Sequence, residues 1–183
     1  MNHQEQARLQ RARAFDRAEL AAIYDEYSPL LYRYIYRQVG EVETARDVTA
    51  QVFERFLHTL RQGHGPDQQL NAWLYRTAHN LVIDHYRRQQ YRQHLPLDEA
   101  LVDAADDPVS RAETRLTTAG LRSALRQLTP DQQQVIALKF LGQLSNAEVA
   151  AVLDKPIGAV KSLQHRALAA LQRQLVPLEE TVS

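Results

Sequence analysis

The sequence predicts an all-α protein made of two small helical domains. Only six glycines occur among its 183 residues, and no stretch alternates polar and apolar residues with the two-residue period of a half-buried strand. Alanine, leucine, arginine and glutamine dominate the composition, and most of them favour helices. A chain of this length can form one medium domain or two small ones, and an acidic, proline-containing stretch in its middle favours two.

Three helices are predicted in the first domain, which we place at residues 14–94. They cover 14–38, 43–60 and 69–91. The first is expected to break or kink at Ser28-Pro29, because proline removes a helix hydrogen bond. The second and third are separated by the loop "QGHGPDQQ" (62–69), in which two glycines and a proline cluster.

The net charge of zero hides three segments of opposite sign. Residues 71–94 hold four arginines and one acid, residues 95–113 hold six acids and one arginine, and residues 121–175 hold seven basic residues and three acids. This order suggests a polyanionic partner that is contacted at two places, with 95–113 as an acidic linker. The alternative is that the charged faces are merely solvated and the linker is a disordered tether.

The second domain, placed at 114–176, has clear helix-start signals. Thr129 and Gln132 form a capping box around Pro130, and Ser145 and Glu148 repeat the device. A short helix from there ends near Leu153, "DKP" (154–156) makes a tight turn, and a final helix runs from about Ile157 to Leu175. This pattern is typical of a DNA-binding helix-turn-helix motif, although a merely structural helical pair has the same spacing.

The helix "NAWLYRTAHNLVIDHYRRQ" (71–89) has two contrasting faces at the helical period. The apolar stripe consists of Leu74, Ala78, Leu81 and Val82. The opposite stripe consists of Trp73, Arg76, Thr77, Asn80, Asp84, Arg87 and Arg88. Arginines bind phosphates, an amide can read base edges and an aromatic ring stacks on an unpaired base, so this stripe suits nucleic acid.

A structural interpretation of the same stripe stays open. In that case Trp73 packs under the preceding loop and the arginines are simply exposed. Asp84 is out of place on a surface that binds an anion, so we expect it to pair with Arg87 or Arg88 one turn away.

Several blocks of the sequence resemble a known family. "ETARDVTAQVFERFL" (43–57) and "WLYRTAHNLVIDHYRR" (73–88) resemble region 2 of bacterial RNA polymerase sigma factors. "LRQLTPDQQQVIALKFLGQLSNAEVAAVLDKPIGAVKSLQHRALAAL" (125–171) resembles their region 4. Because a short linker replaces a full third domain, the layout is similar to the extracytoplasmic-function (ECF) branch of the sigma-70 family.

The resemblance implies a polymerase-binding face on the helix at 43–60. In the family, this face grips the clamp helices of the largest polymerase subunit. The face here consists of Asp47, Ala50, Gln51, Glu54 and His58, while Ala45, Val48, Val52 and Phe56 are expected to point inward. Relatives usually read D-L-T-Q-E-V-F where this chain reads "DVTAQVF", so one acidic contact is missing and Asp47 and Glu54 are expected to carry binding.

The resemblance also implies that the first domain holds the melted −10 element. The loop at 62–72 and the start of the next helix would capture a base flipped out of the duplex, with Trp73 and Asn80 near that base. Arginines would hold the strand's backbone. The implied −10 set is His64, Asp67, Trp73, Arg76, Thr77, Asn80, Asp84, Arg87 and Arg88.

The final helix is implied to read the −35 element in the major groove. Its candidates are Lys161, Ser162, His165 and Arg166, with Arg173 as a phosphate contact or a solvated residue. Gln164 falls within the apolar arc of Val160, Ala167, Leu168, Leu171 and Leu175. Either it is buried with a hydrogen-bond partner or the helix is rotated slightly. Asp154 replaces a common glycine, which is tolerable because Asp can adopt the left-handed conformation.

We therefore expect an alternative sigma factor that binds core RNA polymerase, recognises −35 and −10 promoter elements and assists melting. Its acidic linker would occupy the RNA path of the polymerase or serve as a plain tether. The resemblance also allows an anti-sigma factor as a partner, although no residue of the sequence points to one. Two other classes stay open, a helix-turn-helix regulator that acts without polymerase and a helical adaptor protein.

Other functions are disfavoured by what the sequence lacks. No phosphate-binding glycine loop or hydrolase motif occurs, so we expect no enzyme, no cofactor and no small-molecule substrate. His79 and His85 lie on nearly different helix faces, so no metal site is expected. The chain has no cysteine and no long apolar run, which fits a cytoplasmic protein that does not enter a membrane.

Overall fold

The computed structural model describes residues 3–66, 69–93, 120–121 and 123–175, and the chain divides into two compact units, Met1–Ala104 and Ala105–Ser183. The described residues form helices joined by turns and contain no strand. The predicted all-α class is therefore confirmed. The acidic linker at 95–113 lies outside the described residues.

The described residues of the first unit form four helices. These are α1 (His3–Arg13), α2 (Arg17–Val39), α3 (Val42–Arg61) and α4 (Leu70–Gln93). α2, α3 and α4 pack against one another, and α1 packs on α2 and α3. The predicted inward stripes are confirmed, since Ala45, Val48, Val52 and Phe56 of α3 and Leu74, Ala78, Leu81 and Val82 of α4 are all buried.

The predicted helix start at residue 14 is wrong, because two helices meet there. α1 ends in a turn in which Phe15 has a left-handed backbone (φ 55°), and the Asp16 amide donates to the Arg11 carbonyl. Asp16 then caps α2, since its Oδ1 accepts from the amides of Ala18 and Glu19 at 2.9 and 3.3 Å. A capping aspartate three residues before Glu19 is a start signal that the sequence already contained.

α2 is continuous through Pro29, so of the expected break or kink the break does not occur. Proline costs the helix one hydrogen bond and crowds the carbonyl four residues earlier. Pro29 is exposed, which leaves that carbonyl's side of the helix open to water. The buried residues on both sides of it, Ile23 and Leu31, hold α2 in the core as one element.

The second unit contains α5 (Pro130–Phe140), α6 (Asn146–Leu153) and α7 (Ile157–Leu175). Both predicted capping boxes are confirmed: Thr129 and Gln132 bond reciprocally at the start of α5, and Ser145 and Glu148 do so at α6. Asp154 adopts the left-handed conformation (φ 51°, ψ 47°) that the turn between α6 and α7 requires. The helix-turn-helix spacing predicted from the sequence is therefore present.

The buried side of α7 is narrower than the predicted apolar arc. Val160, Ala167 and Leu171 are buried, and the last two join Ile136, Ala124 and Leu128 in one cluster. Leu168 is 40% exposed, so its placement in the buried arc was wrong. Gln164 is half-buried, so it is not a fully buried residue of the arc.

Candidate nucleic-acid interface

The polar stripe of α4 forms an exposed face on a well-anchored helix. Arg76, Asn80, Arg87 and Arg88 are exposed, and Thr77 and Asp84 are half-buried. The opposite side of α4 packs into the core through Leu74, Tyr75, Ala78, Leu81 and Val82. With Trp73, the six polar residues are called the α4 face below. Because the helix is fixed from behind, these side chains present donors at set positions along nearly four turns.

Trp73 packs on the core and is still partly exposed, so its position is compatible with both roles that the sequence left open. Its indole ring packs on the buried Phe56 ring of α3, with centroids 5.8 Å apart and planes inclined by 56°. Trp73 is nevertheless only half-buried, so part of the ring stays accessible. Its amide donates to the carbonyl of Gln69 at 3.1 Å, which places Trp73 in the first turn of α4.

The expected ion pair of Asp84 is replaced by a different contact. Arg88 Nε donates to the backbone carbonyl of Asp84 at 3.2 Å, and no carboxylate–guanidinium pair of Asp84 is present among the described residues. The Asp84 side chain is half-buried. The basic end of the α4 face therefore keeps its two guanidinium groups, Arg87 and Arg88, exposed to a partner.

A structured loop precedes the α4 face. Just after the end of α3, Gly63 adopts the left-handed conformation (φ 74°), and the His64 amide donates to the Thr59 carbonyl at 3.1 Å. His64 is exposed and Pro66 is buried. Asp67, a predicted −10 residue, lies outside the described residues. The segment 62–66 is called the α3–α4 loop below.

Two polar contacts, one buried and one exposed, tie α4 to α2. The Tyr34 hydroxyl lies 3.3 Å from Nδ1 of the buried His79, and burial lowers the pKa of that imidazole. The Tyr86 hydroxyl donates to the Gln38 carbonyl near the end of α2. His79 is thus a core residue on the side of α4 away from its polar face.

The predicted polymerase-binding residues lie together on the outer side of α3. Asp47, Ala50, Glu54 and His58 are exposed and Gln51 is half-buried. His58 Nε2 lies 2.9 Å from Nε2 of Gln62. Gln51, Glu54 and His58 also line a groove with Arg55, Leu57 and Arg61. The five predicted residues are called the α3 face.

The predicted −35 residues lie together on α7. Lys161, Ser162, His165, Arg166 and Arg173 are all exposed, and they form the α7 face. Arg166 Nε donates to the Ser162 carbonyl at 3.3 Å, so this guanidinium lies along its own helix when no partner is bound. Lys155 ties the turn to α5 through an ion pair with Asp131 at 3.1 Å.

The arrangement can bind a polyanion at each unit. Exposed arginines with a partly open indole suit a single strand, because phosphates and a base face are contacted together. A basic helix behind a short helix and a turn suits the major groove of a duplex. Within the described ranges, none of the helices is long and apolar enough to cross a bilayer.

Sequence reasoning missed one residue of the site, Arg13. Its Nη2 donates to the Pro66 carbonyl at 3.2 Å, so it contacts the α3–α4 loop from the end of α1. The two residues are 53 positions apart. The composition of residues 3–13 could have predicted a helix there, but it could not have predicted the contact of Arg13 with Pro66.

Comparisons with known proteins match both units. The models for Sigma-70 region 2 and for Sigma-70, region 4 match residues 23–92 and 119–171. The ECF RNA polymerase sigma factor BldN of Streptomyces coelicolor is 38% identical over 170 residues, which are 91% of this chain and 64% of that protein. The ECF RNA polymerase sigma factor SigL of Mycobacterium tuberculosis is 31% identical over 178 residues, which are 96% and 99% of the two chains.

A solved structure has the same fold. It is the sigma factor RpoE of Bartonella quintana in complex with the anti-sigma factor NepR, with a TM-score of 0.63 and 19% identity. The similarity covers 85% of this chain and 96% of that one.

Proposed function

The chain belongs to the ECF branch of the sigma-70 family, and on that premise we propose that it directs core RNA polymerase to promoters. In this role it binds the polymerase, recognises −35 and −10 elements and assists melting of the −10 element. The first domain (14–94) would carry polymerase and −10 binding, and the second (114–176) would carry −35 binding. Such an activity belongs to the cytoplasm, where polymerase and promoter DNA are found.

The observation that carries the proposal is the presence of two exposed polar faces on neighbouring helices of one unit. The α3 face and the α4 face lie on helices that pack against each other. A regulator that only binds duplex DNA through α6 and α7 has no need of either face. A polymerase-bound factor that also holds a melted strand needs both.

On the α3 face, we assign polymerase binding chiefly to Asp47 and Glu54. Both carboxylates are exposed and can meet basic residues of the clamp helices without a large desolvation cost. Ala50 supplies no charge, and Gln51 supplies an amide in place of the acid common in relatives. The surface is therefore less acidic than is usual for the family.

On the α4 face, we assign Trp73 and Asn80 to the flipped base and Arg76, Arg87 and Arg88 to the strand's phosphates. Extruding a base costs a few kcal/mol, which stacking and amide hydrogen bonds can offset. The open part of the Trp73 ring and the exposed Asn80 amide support this assignment. Thr77, His64 and Asp67 complete the proposed strand path.

On the α7 face, we assign Lys161, Ser162, His165 and Arg166 to base edges and nearby phosphates of the −35 element. They lie in the first half of α7, which enters the groove first in a helix-turn-helix. Arg173 lies nearly two turns further along and suits a phosphate contact.

We also propose that an anti-sigma factor controls the chain. The support is the relative RpoE, which has been solved in complex with the anti-sigma factor NepR. Co-purification of the chain with the product of an adjacent gene would test this partner.

Run-off transcription with purified core polymerase tests the central proposal. We expect the chain to yield transcripts with defined 5′ ends from some genomic fragments, whereas core polymerase alone yields none. Promoter binding without any such transcript would favour a helix-turn-helix regulator instead. Binding to neither DNA nor core polymerase would favour a helical adaptor.

A matched pair of variants tests the polymerase face. Asp47→Ala combined with Glu54→Ala should weaken capture of core polymerase, while binding of −35 duplex stays unchanged. Asp25→Ala removes an exposed acid of α2 and serves as the control. Equal capture by all three proteins would contradict the assignment of the α3 face.

A further inference from the structure

The C-terminal end of α1 is bonded to the α3–α4 loop. Arg13 Nη2 donates to the Pro66 carbonyl at 3.2 Å. The loop also approaches the Arg13 stem closely at Gly65, where an added Cβ would lie 3.2 Å from Arg13 Nε and 3.0 Å from Leu60 Cδ2. Arg13 therefore lies against the loop as well as bonding to it.

The contact satisfies a backbone group that would be costly to leave unpaired. Pro66 is a buried residue and the bond to its carbonyl is part-buried, an environment in which backbone carbonyls are usually hydrogen-bonded. A guanidinium donor makes this a charge-assisted hydrogen bond, which is stronger than a neutral one. A loop with two glycines loses much conformational entropy when it is ordered, so such a tether has a large influence on it.

α1 is itself held firmly on α2. Leu9 and Ala12 are buried, and the buried Glu19 carboxylate accepts from Nε of Arg8 and Nε of Arg11, both at 2.7 Å. Arg8 also pairs with Glu26 at 2.6 Å. Arg13 thus projects from an anchored helix, and the loop is fixed to the body of the bundle through it.

The loop leads into the first turn of α4. Gln69, with a left-handed backbone (φ 62°), accepts the Trp73 amide through its carbonyl at 3.1 Å. Only two residues separate Pro66 from Gln69 in the sequence, so a fixed Pro66 restricts the distance from which the chain can reach the start of α4.

We propose that Arg13 is a positioning residue for strand capture: it holds the α3–α4 loop in the conformation that receives the flipped base. This rests on the proposed function of the loop and the α4 face. Arg13 need not touch DNA, because it acts through the Pro66 carbonyl. α1 is then part of the −10 recognition apparatus although it lies outside the matched family segments.

Hydrogen exchange of the free protein tests the structural half. Arg13→Met keeps the length of the side chain but removes its donors. Amides of residues 62–65 should exchange roughly tenfold faster, as expected for loss of the charge-assisted hydrogen bonding of the Arg13 guanidinium. Arg17→Met removes an exposed guanidinium near the start of α2 and should leave the loop unchanged. Unchanged exchange in Arg13→Met would overturn the inference.

Strand discrimination tests the functional half. Labelled single strands carry the −10 sequence of a promoter mapped by run-off, either intact or with the flipped base replaced. The wild-type ratio of the two affinities should fall roughly tenfold in Arg13→Met, whereas Arg17→Met keeps it. Arg13→Lys, which can still donate to the carbonyl, should recover part of it. A general loss of stability would not change this ratio, and affinity for −35 duplex should be unaffected.

The outcomes separate the two proposals. Faster exchange with an unchanged ratio would overturn the positioning role. If the wild-type protein gave no promoter-dependent transcript, the proposed function would fail, while the exchange comparison would still decide whether Arg13 orders the loop. Glu19→Gln adds a second variant: faster exchange in α1 without any change in the loop would refute the link through α1.

Discussion

The ring of Trp73 lies on the ring of Phe56, 5.8 Å between centroids, and this contact packs the aromatic residue of the α4 face against the core. Phe56 is almost fully buried, whereas Trp73 is half-buried. One part of the indole is therefore fixed by packing and another part is open. Packing is compatible with the proposed base stacking, and it would favour stacking by limiting the rotamers that the ring can adopt.

Replacement of Trp73 should separate stability from strand binding. Trp73→Ala should lower the free energy of unfolding of the first unit by about 1–3 kcal/mol, less than for a fully buried tryptophan. It should impair promoter opening more than closed-complex binding. Both steps can be followed by permanganate reactivity and by footprinting on a mapped promoter.

Trp73→Phe is the matched variant, because it keeps a ring against Phe56 and reduces the stacking surface. We expect stability close to wild type and a partial defect in opening. Normal opening in Trp73→Phe, together with equal loss of both steps in Trp73→Ala, would show that Trp73 only packs.

Arg166→Ala should relax discrimination at one −35 base pair by about 1–3 kcal/mol if the guanidinium contacts a base in bidentate fashion. The free guanidinium bonds only weakly to the Ser162 carbonyl at 3.3 Å, so little intramolecular energy opposes its release. Arg173→Ala should instead weaken all −35 variants alike. Affinities for a set of singly substituted −35 duplexes distinguish a base contact from a phosphate contact. A uniform loss of affinity in Arg166→Ala would assign Arg166 to a phosphate.

Ser145→Ala should destabilise the second unit by about 1 kcal/mol, because it removes the side-chain acceptor of the Glu148 amide at the start of α6. The change lies outside the α7 face. Calorimetry should therefore detect it, while −35 specificity stays the same. Ser123→Ala changes an exposed serine of the same unit and is the control. Equal losses of unfolding free energy in the two variants would show that the capping box at Ser145 does not stabilise the unit.

His79 should make the first unit less stable in mild acid. Burial lowers the pKa of the imidazole below its ordinary value of 6.5, so the unfolded chain binds the proton more readily than the folded one. The stabilising contribution is complete above pH 6.5 and is lost as the pH falls from there through the lowered pKa.

Thermal unfolding at pH 7.5 and pH 5.5 tests whether the first unit loses stability as the pH falls. His79→Gln should reduce the drop in Tm between the two values, and His64→Gln, which removes an exposed imidazole, is the matched control. An identical drop in wild type and His79→Gln would mean that protonation of His79 is not linked to folding.

Local signals explain why so much of the helical framework was predictable. The capping boxes at Thr129 and Ser145 and the left-handed Asp154 depend only on neighbouring residues, and all three are present as expected. The break expected at Pro29 did not occur. A proline removes a helix hydrogen bond locally, but whether the helix tolerates it depends on the surroundings, and here Pro29 is exposed. The turn at Phe15 was missed because a left-handed phenylalanine is uncommon, although Asp16 beside it carries a helix-start signal.

The faces of the candidate site were predictable for the same reason that helices are. A period of about 3.6 residues assigns Asn80 outward and Leu81 inward without knowledge of the fold. The contacts that shape the site are tertiary and leave no such trace. The packing of Trp73 on Phe56 and the hydrogen bond from Arg13 to Pro66 each join residues that are far apart in the chain. Arg88 donates to the Asp84 backbone carbonyl and not to the Asp84 carboxylate.

The contact of Trp73 with Phe56 also gives the protein a natural optical label. Trp73 is the only tryptophan, and residues 105–183 contain neither tryptophan nor tyrosine. Emission excited near 295 nm therefore arises from one ring at the edge of the α4 face, and the tryptophan and tyrosine signals report on the first unit alone. The kinetics of base capture can thus be followed by the fluorescence of Trp73 in the unmodified chain, because the second unit contains no tryptophan.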